Sequence, residues 1–273
     1  MKKKLRIIPK IDVKGMNVVK GIHLEGLRAL GDPMEFSKFY YNNQADEIIY
    51  HDIVASLYER NSLNKLISDV SKNIFIPFTV GGGLRNVKDV KNVLKSGADR
   101  VFINTAAVHD PNIINEIVND FGASSLIVSI EVNKYQEKYK CYTDFGREES
   151  DINLFNWINE IEKRGAREIM ISSIDRDGTG TGFDLNLAKK ITQITNMSFI
   201  IGGGFAEINH IHELLDQSNP SGVFISSSLH YNTINKVTKK RINLTGNFEF
   251  LKKKKKMVKF KKIPIKLIKK SIT

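Results

Sequence analysis

The chain has 273 residues, 41% of them hydrophobic, and a formal net charge of +12. That length suits one large core, as in α/β barrels of about 250 residues. No apolar run approaches the roughly 20 residues of a membrane helix, Pro9 and Asp12 interrupt any signal-like apolar core, and the single Cys141 excludes an internal disulfide, so a cytoplasmic protein is expected.

The first strand is read at Arg6-Ile-Ile-Pro-Lys-Ile-Asp-Val13. Residues 18–33 follow as a long polar loop carrying Lys20, His23, Glu25 and Arg28, suited to covering an anionic substrate. Asp32-Pro33 opens a helix to about Asn42 by the cap-then-proline signal. A strand at Glu47–Ile53, a helix at Leu63–Ser71 and a strand at Ile76–Val80 lead into Gly81-Gly-Gly83. Helix Val87–Ser96, strand Arg100–Ile103 and helix Pro111–Phe121 complete a first half. The second half reads strand Leu126–Val132, an irregular hairpin-like excursion 133–144 rich in Tyr and Lys, helix Leu154–Arg164, strand Glu168–Ser172 and loop 175–182. Helix Leu185–Thr195, strand Phe199–Ile201, Gly202-Gly-Gly204, helix Ile208–Leu215, strand Val223–Ile225 and Ser226-Ser-Ser228 end it.

From Lys236 onward fifteen Lys or Arg stand against Glu249 alone, which leaves the first 235 residues at −2. A body so near neutrality carries no electrostatic footprint for specific nucleic-acid binding. The expected organisation is therefore a barrel over residues 1–240 and a lysine-rich tail over 241–273, loose or partly docked and without strand or helix periodicity.

The two halves repeat one another. Asp12 and Glu131 are 119 residues apart, Glu47 and Glu168 121, Gly81 and Gly202 121, and Phe102 and Phe224 122. Short strands alternating with helices in a duplicated half predict a closed (β/α)8 TIM barrel. Strand ends at the C-terminal face would bring Asp12 and Glu131 into one mouth as acid and base. Each half has a glycine triplet after a strand, able to bring backbone N–H groups to an anion. Each also ends in polar residues after its last strand, Asn104-Thr105 and Ser226-Ser227, so a two-phosphate ligand is expected. Arg6, Glu47, Arg100 and Glu168 should gather as a ring at the opposite face. Neither a metal site nor a Ser or Cys nucleophile is indicated, because the His residues are scattered and no Gly-x-Ser-x-Gly occurs.

The stretches Ile-Pro-x-Ile-Asp-Val, Val-Val-Lys-Gly, Gly-Asp-Pro, Ile-Pro-Phe-Thr-Val-Gly-Gly-Gly, Ile-Asn-Thr-Ala-Ala-Val and Ser-Ile-Asp-Arg-Asp-Gly-Thr resemble the cyclase subunit of imidazole glycerol phosphate synthase, from about Arg6 to Tyr231. The resemblance implies a lyase of histidine biosynthesis that needs no cofactor. It would receive ammonia from a glutaminase partner and convert a phosphoribulosyl-formimino aminoimidazole carboxamide ribonucleotide to imidazole glycerol phosphate and the carboxamide ribonucleotide. It implies catalysis by Asp12 and Glu131, and substrate contacts at Lys20, Gly83, Asn104, Thr105, Asp177, Gly178, Gly203, Gly204, Ser226 and Ser227. An ammonia gate falls on Arg6, Glu47, Arg100 and Glu168, and a partner contact on Asp99. The sequence departs from the family at Glu131, where the family has aspartate, at Arg100, where it has lysine, and at Gly202-Gly-Gly-Phe-Ala206. Those departures leave open a paralogue serving amidino-sugar synthesis, or a partner that only activates a glutaminase.

Overall fold

A computed structural model describes residues 4–53, 63–136, 138–237 and 260–272. Eight parallel strands close on themselves: β1 (Arg6–Lys14), β4 (Ile48–Asp52), β5 (Phe78–Gly81), β6 (Arg100–Ile103), β7 (Leu126–Tyr135), β10 (Glu168–Ser173), β11 (Ser198–Gly202) and β12 (Gly222–Ile225). The β7–β10 and β12–β1 pairings complete the circle, so no barrel strand is left with an open edge.

Helices lie between the strands: α1 (Pro33–Asn42), α2 (Leu63–Ser71), α3 (Val87–Lys95), a short α4 (Thr105–His109), α5 (Asn112–Phe121), α6 (Leu154–Lys163), α7 (Leu185–Ile194), α8 (Asn209–Gln217) and α9 (Ser227–Val237). Their starts are written locally. Asp32 accepts from the amides of Met34 and Glu35 with Pro33 at the first position, and Asn86, Asn153 and Asp184 cap α3, α6 and α7 in the same way.

Alternation along the strands divides the interior into two apolar regions. The large one fills the space between sheet and helices. A separate cluster, Ile8, Ile49, Phe102, Ile127, Met170, Ile200 and Phe224, fills the barrel itself. Because successive side chains alternate, Arg6, Ile8, Lys10 and Asp12 all point into the lumen, in that order from floor to mouth.

Three expectations need correction. The polar first loop is instead a hairpin, β2 (Asn17–Ile22) and β3 (Glu25–Gly31), whose Val18, Val19, Ala29 and Leu30 are buried. The excursion after β7 is a regular extension into β8 (Lys138–Thr143) and β9 (Glu148–Asn153). Each half thus sends its first strand into an antiparallel hairpin, which extends the duplication beyond the eight barrel strands. In the tail, α10 (Ile265–Ser271) buries Ile265 and Ile268. A single i, i+3 pair is too short to register as periodicity, but it is enough to dock one turn.

Residues 260–272 run along the outside of the barrel from end to end. Phe260 stacks on Tyr231 with ring centroids 6.0 Å apart, Lys261 pairs with Glu207 at 2.5 Å, and Lys269 pairs with Asp46 at 2.6 Å. Residues 238–259, which contain the Lys252–Lys256 block, lie outside the described residues. Ile268 is fully buried, so Ile268→Ala should cost about 2–4 kcal/mol in urea unfolding. An unchanged midpoint would mean that the docked turn adds nothing to stability.

Candidate active site

At the N-terminal face the four expected charges meet. Arg6 pairs with Glu47 at 2.7 Å and also with Glu168, and Arg100 reaches Glu168 at 2.6 Å and Glu47 at 3.8 Å. Thr79 donates to Glu47 at 2.6 Å and Ser221 to Glu168 at 2.9 Å. Burial pushes the Glu47 carboxyl up, whereas at Glu168 burial is outweighed by Arg100 and Arg6 and the carboxyl is held down. Asp99 stands exposed at the start of β6, its carboxylate accepting from the Phe78 amide at 2.9 Å.

At the C-terminal end, Asp12 has no exposed surface. Lys10 Nζ lies 2.5 Å from its Oδ1 and Lys20 Nζ 3.4 Å from its Oδ2. Burial alone would neutralise Asp12; the two ammonium groups prevail and hold it well below the usual carboxylate range. His51 stands 3.8 Å away but is kept neutral by burial and by Lys10, so at neutral pH it adds no charge. Lys20 also pairs with Asp177 at 2.7 Å, and these partners outweigh burial to raise it above the usual lysine range.

Glu131 behaves in the opposite way. Burial pushes it up to about 7, against Lys10 and the Gly146 amide, which donates at 2.9 Å, and with help from the charges of Asp12 and Asp144. Two carboxylates from pseudo-equivalent strands therefore differ in protonation within one mouth, as acid–base pairs require.

The glycine turns are paired in space as in sequence. Gly82 and Gly203 hold φ of 102° and 107°. A Cβ at Gly82 would stand 2.1 Å from the Asp52 carbonyl oxygen, and one at Gly203 2.7 Å from that of Ser173. Glycine is required at both by the same contact. Gly83, Asn104, Thr105 and Glu131 line a cavity of about 360 Å³. Asp177, Gly178, Gly203, Gly204, Ser226 and Ser227 line a cleft of about 20 Å³ in the other half. The Ser227 hydroxyl is buried with no hydrogen-bond partner, so it is free to take an acceptor there.

Other expected contacts are already engaged. Lys20 lies in β2, fully buried between Asp12 and Asp177, rather than on a loose cover. Asn104 donates to Tyr142 O at 3.0 Å and to Glu131 at 3.3 Å, Thr105 accepts from the Asp144 amide at 3.1 Å, and Ser226 donates to Lys10 O at 2.6 Å. Val19, Leu24, Ile53, Phe145 and Ile174 form a small apolar cluster. Hairpin tips from both halves contribute to it, and Leu24 and Phe145 adopt positive φ, of 62° and 61°. Sequence reading missed Lys10, His51, Phe145 and Gly146. Strand parity could have found the first two, because Lys10 shares a face with Asp12, and His51 with Glu47.

Glu131 generates a pH test. Its protonated form is the one the fold prefers, so its contribution to stability is complete below its ordinary 4.5 and is lost as pH rises through about 7. Relative to Glu131→Gln, which stays neutral, the wild-type chain should lose on the order of 3 kcal/mol of unfolding free energy across that range. A difference that stays flat from acid to neutral pH would contradict the raised carboxyl.

A family model described as histidine biosynthesis protein matches residues 6–235. A relative named imidazole glycerol phosphate synthase subunit HisF, from Legionella pneumophila, is 43% identical over 209 residues, covering 76% of this chain and 99% of its own. The protein of the same name from Lactococcus lactis subsp. cremoris (strain SK11) is 40% identical over 228 residues, 83% of this chain and 88% of its own. That from Streptococcus gordonii (strain Challis) is 36% identical over 245 residues, 89% and 97% respectively. A closed barrel of two matched halves, together with this coverage and identity, shows that the chain belongs to the histidine biosynthesis family that includes the imidazole glycerol phosphate synthase HisF subunits.

Proposed function

We propose that the chain is the cyclase subunit of an imidazole glycerol phosphate synthase. It takes ammonia from a glutaminase partner at the N-terminal face and uses it on a substrate with a phosphate at each end. The observation that carries this reading is the placement of Asp12 and Glu131 at matched ends of β1 and β7, in a mouth flanked by the glycine-turn clefts of both halves, and their opposed ionisation fits it.

The chemistry divides between them. The ammonia lone pair attacks the ribulosyl carbonyl carbon, the carbonyl electrons move to oxygen, and Asp12, as the base, takes a proton from nitrogen. Loss of water gives an imine. The imine nitrogen then attacks the formimino carbon and the C–N bond to the carboxamide ribonucleotide breaks, its departing amine taking a proton from Glu131; loss of a proton from ribulosyl C1 to the Glu131 carboxylate makes the ring an aromatic imidazole. A carboxyl near neutrality can both give and recover that proton at working pH.

Placement supports the rest. The turn at Gly82-Gly83 with Asn104 and Thr105 would hold one phosphate, and Gly178, Gly203, Gly204 and the unpaired Ser227 hydroxyl the other. Lys20 would reach substrate by exchanging one of its carboxylates for a phosphate oxygen. The ring of Arg6, Glu47, Arg100 and Glu168 closes the floor through which ammonia enters, and exposed Asp99 is available to the glutaminase.

Asp12→Asn keeps size and shape but removes the base. Turnover of the bis-phosphate substrate with ammonium salts should fall about 10³-fold with the unfolding midpoint retained. Full activity in that variant would remove Asp12 from the mechanism.

A further inference from the structure

Lys10 is a buried cation in the lumen, only 4% exposed. Its side chain shares the inward face of β1 with Ile8 of the apolar layer below and Asp12 above. Nζ is 2.5 Å from Asp12 Oδ1 and about 6 Å from the ring centres of Phe145 above and Phe224 below, at 5.9 and 6.0 Å. The backbone beneath it is clamped. Lys10 O accepts from Ser226 Oγ at 2.6 Å and from His230 Nε2 at 2.9 Å, while His230 Nδ1 accepts from Tyr40 at 2.7 Å. Burial holds His230 neutral, which leaves it one N–H to donate in that direction.

We propose that Lys10 is a positioning residue for ammonia addition, holding the Asp12 carboxylate ionised and turned toward the point where the apolar lumen opens into the mouth. This rests on the cyclase reading above. Lys20 cannot do the same alone: it lies 3.4 Å from Asp12 and is more closely engaged by Asp177 at 2.7 Å. Lys10 also faces His51 from β4, Glu131 from β7 and His230 from α9, while Asp144 from the turn after β8 faces Glu131, and Lys10 acts electrostatically on both mouth carboxylates. One ammonium between two carboxylates lets the nearer stay charged while the farther is shared with a proton. Ammonia leaving the apolar layer then meets a base already ionised, with its accepting oxygen fixed.

The test uses the full chain as wild type, Lys10→Met, Lys10→Gln and Lys10→Arg. Carbon-13 at the aspartate side-chain carboxyls, with Asp12→Asn to assign the signal, reads the ionisation of Asp12 directly. Its midpoint should rise by about three pH units or more, past the ordinary carboxylate range, in Lys10→Met and Lys10→Gln, where burial is no longer opposed by that ammonium, and stay near wild type in Lys10→Arg. Ammonium-supported turnover, measured with free ammonia held constant, should fall at least about tenfold in the neutral variants at low pH and recover as pH rises, with arginine restoring most of it. An unmoved Asp12 midpoint in a folded neutral variant would overturn the proposal, as would a uniform loss of rate at every pH. If wild type itself fails to turn over the bis-phosphate substrate, the cyclase reading fails, and the carboxyl signal still decides whether Lys10 governs Asp12.

Discussion

Closing eight strands into a barrel forces every second residue of each strand into a shared lumen, and the rest of the molecule depends on what those positions hold. On β1 the inward series is Arg6, Ile8, Lys10 and Asp12: a charge in the floor ring, a member of the apolar layer, a buried cation and a carboxylate. Along β4 and the residue before it the series is Glu47, Ile49 and His51, along β6 and the residue after it Arg100, Phe102 and Asn104, and on β10 Glu168 and Met170. One period of two therefore builds the floor, the filling and the mouth together. A slip of one residue in any strand would exchange these for groups that belong against the helices.

Burying so much charge is tolerable only because nearly every group is paired. The floor sets two arginines against two glutamates, and the mouth sets Lys10 and Lys20 against Asp12 and Asp177. Glu131 is an exception among the described residues, with a backbone amide and an Asn104 amide but no cation within ion-pair distance, and its carboxyl rises accordingly. The hairpins add the remaining ingredient. Their tips bring Leu24 and Phe145 into one buried apolar cluster, with Phe145 against His51 and Lys10 Nζ, and low solvent exposure there strengthens the neighbouring ion pairs.

The duplication was legible because it lies in lumen-facing positions. Glu47 and Glu168, Gly81 and Gly202, Phe102 and Phe224, and Asp12 and Glu131 all point inward, where replacement is constrained from several sides at once. The barrel and the grouping of its charged ends followed from that repeat and from short-range signals such as Asp32-Pro33. What stayed hidden depends on distant partners. The β2–β3 strands looked like a polar loop because their apolar residues are interrupted by Lys20, whose burial is intelligible only once Asp177 is beside it. Lys10 stands in an apolar run with nothing beside it in sequence to mark its role, although parity with Arg6 and Asp12 places it in the lumen. The docked turn at Ile265 and Ile268 is too short to stand out among lysines.

The lumen joins the floor ring to Asp12, and on the proposed function it is the route taken by ammonia. Replacing Ile8, at the centre of the apolar layer, with a larger side chain would obstruct that route without touching either carboxylate. The most direct measurement compares turnover supported by glutamine, with the glutaminase partner present, to turnover supported by added ammonium, which reaches the mouth from outside. The expected result for Ile8→Phe is a marked loss of glutamine-supported turnover with ammonium-supported turnover retained. Equal losses from both nitrogen sources, or none from either, would contradict passage of ammonia through the barrel.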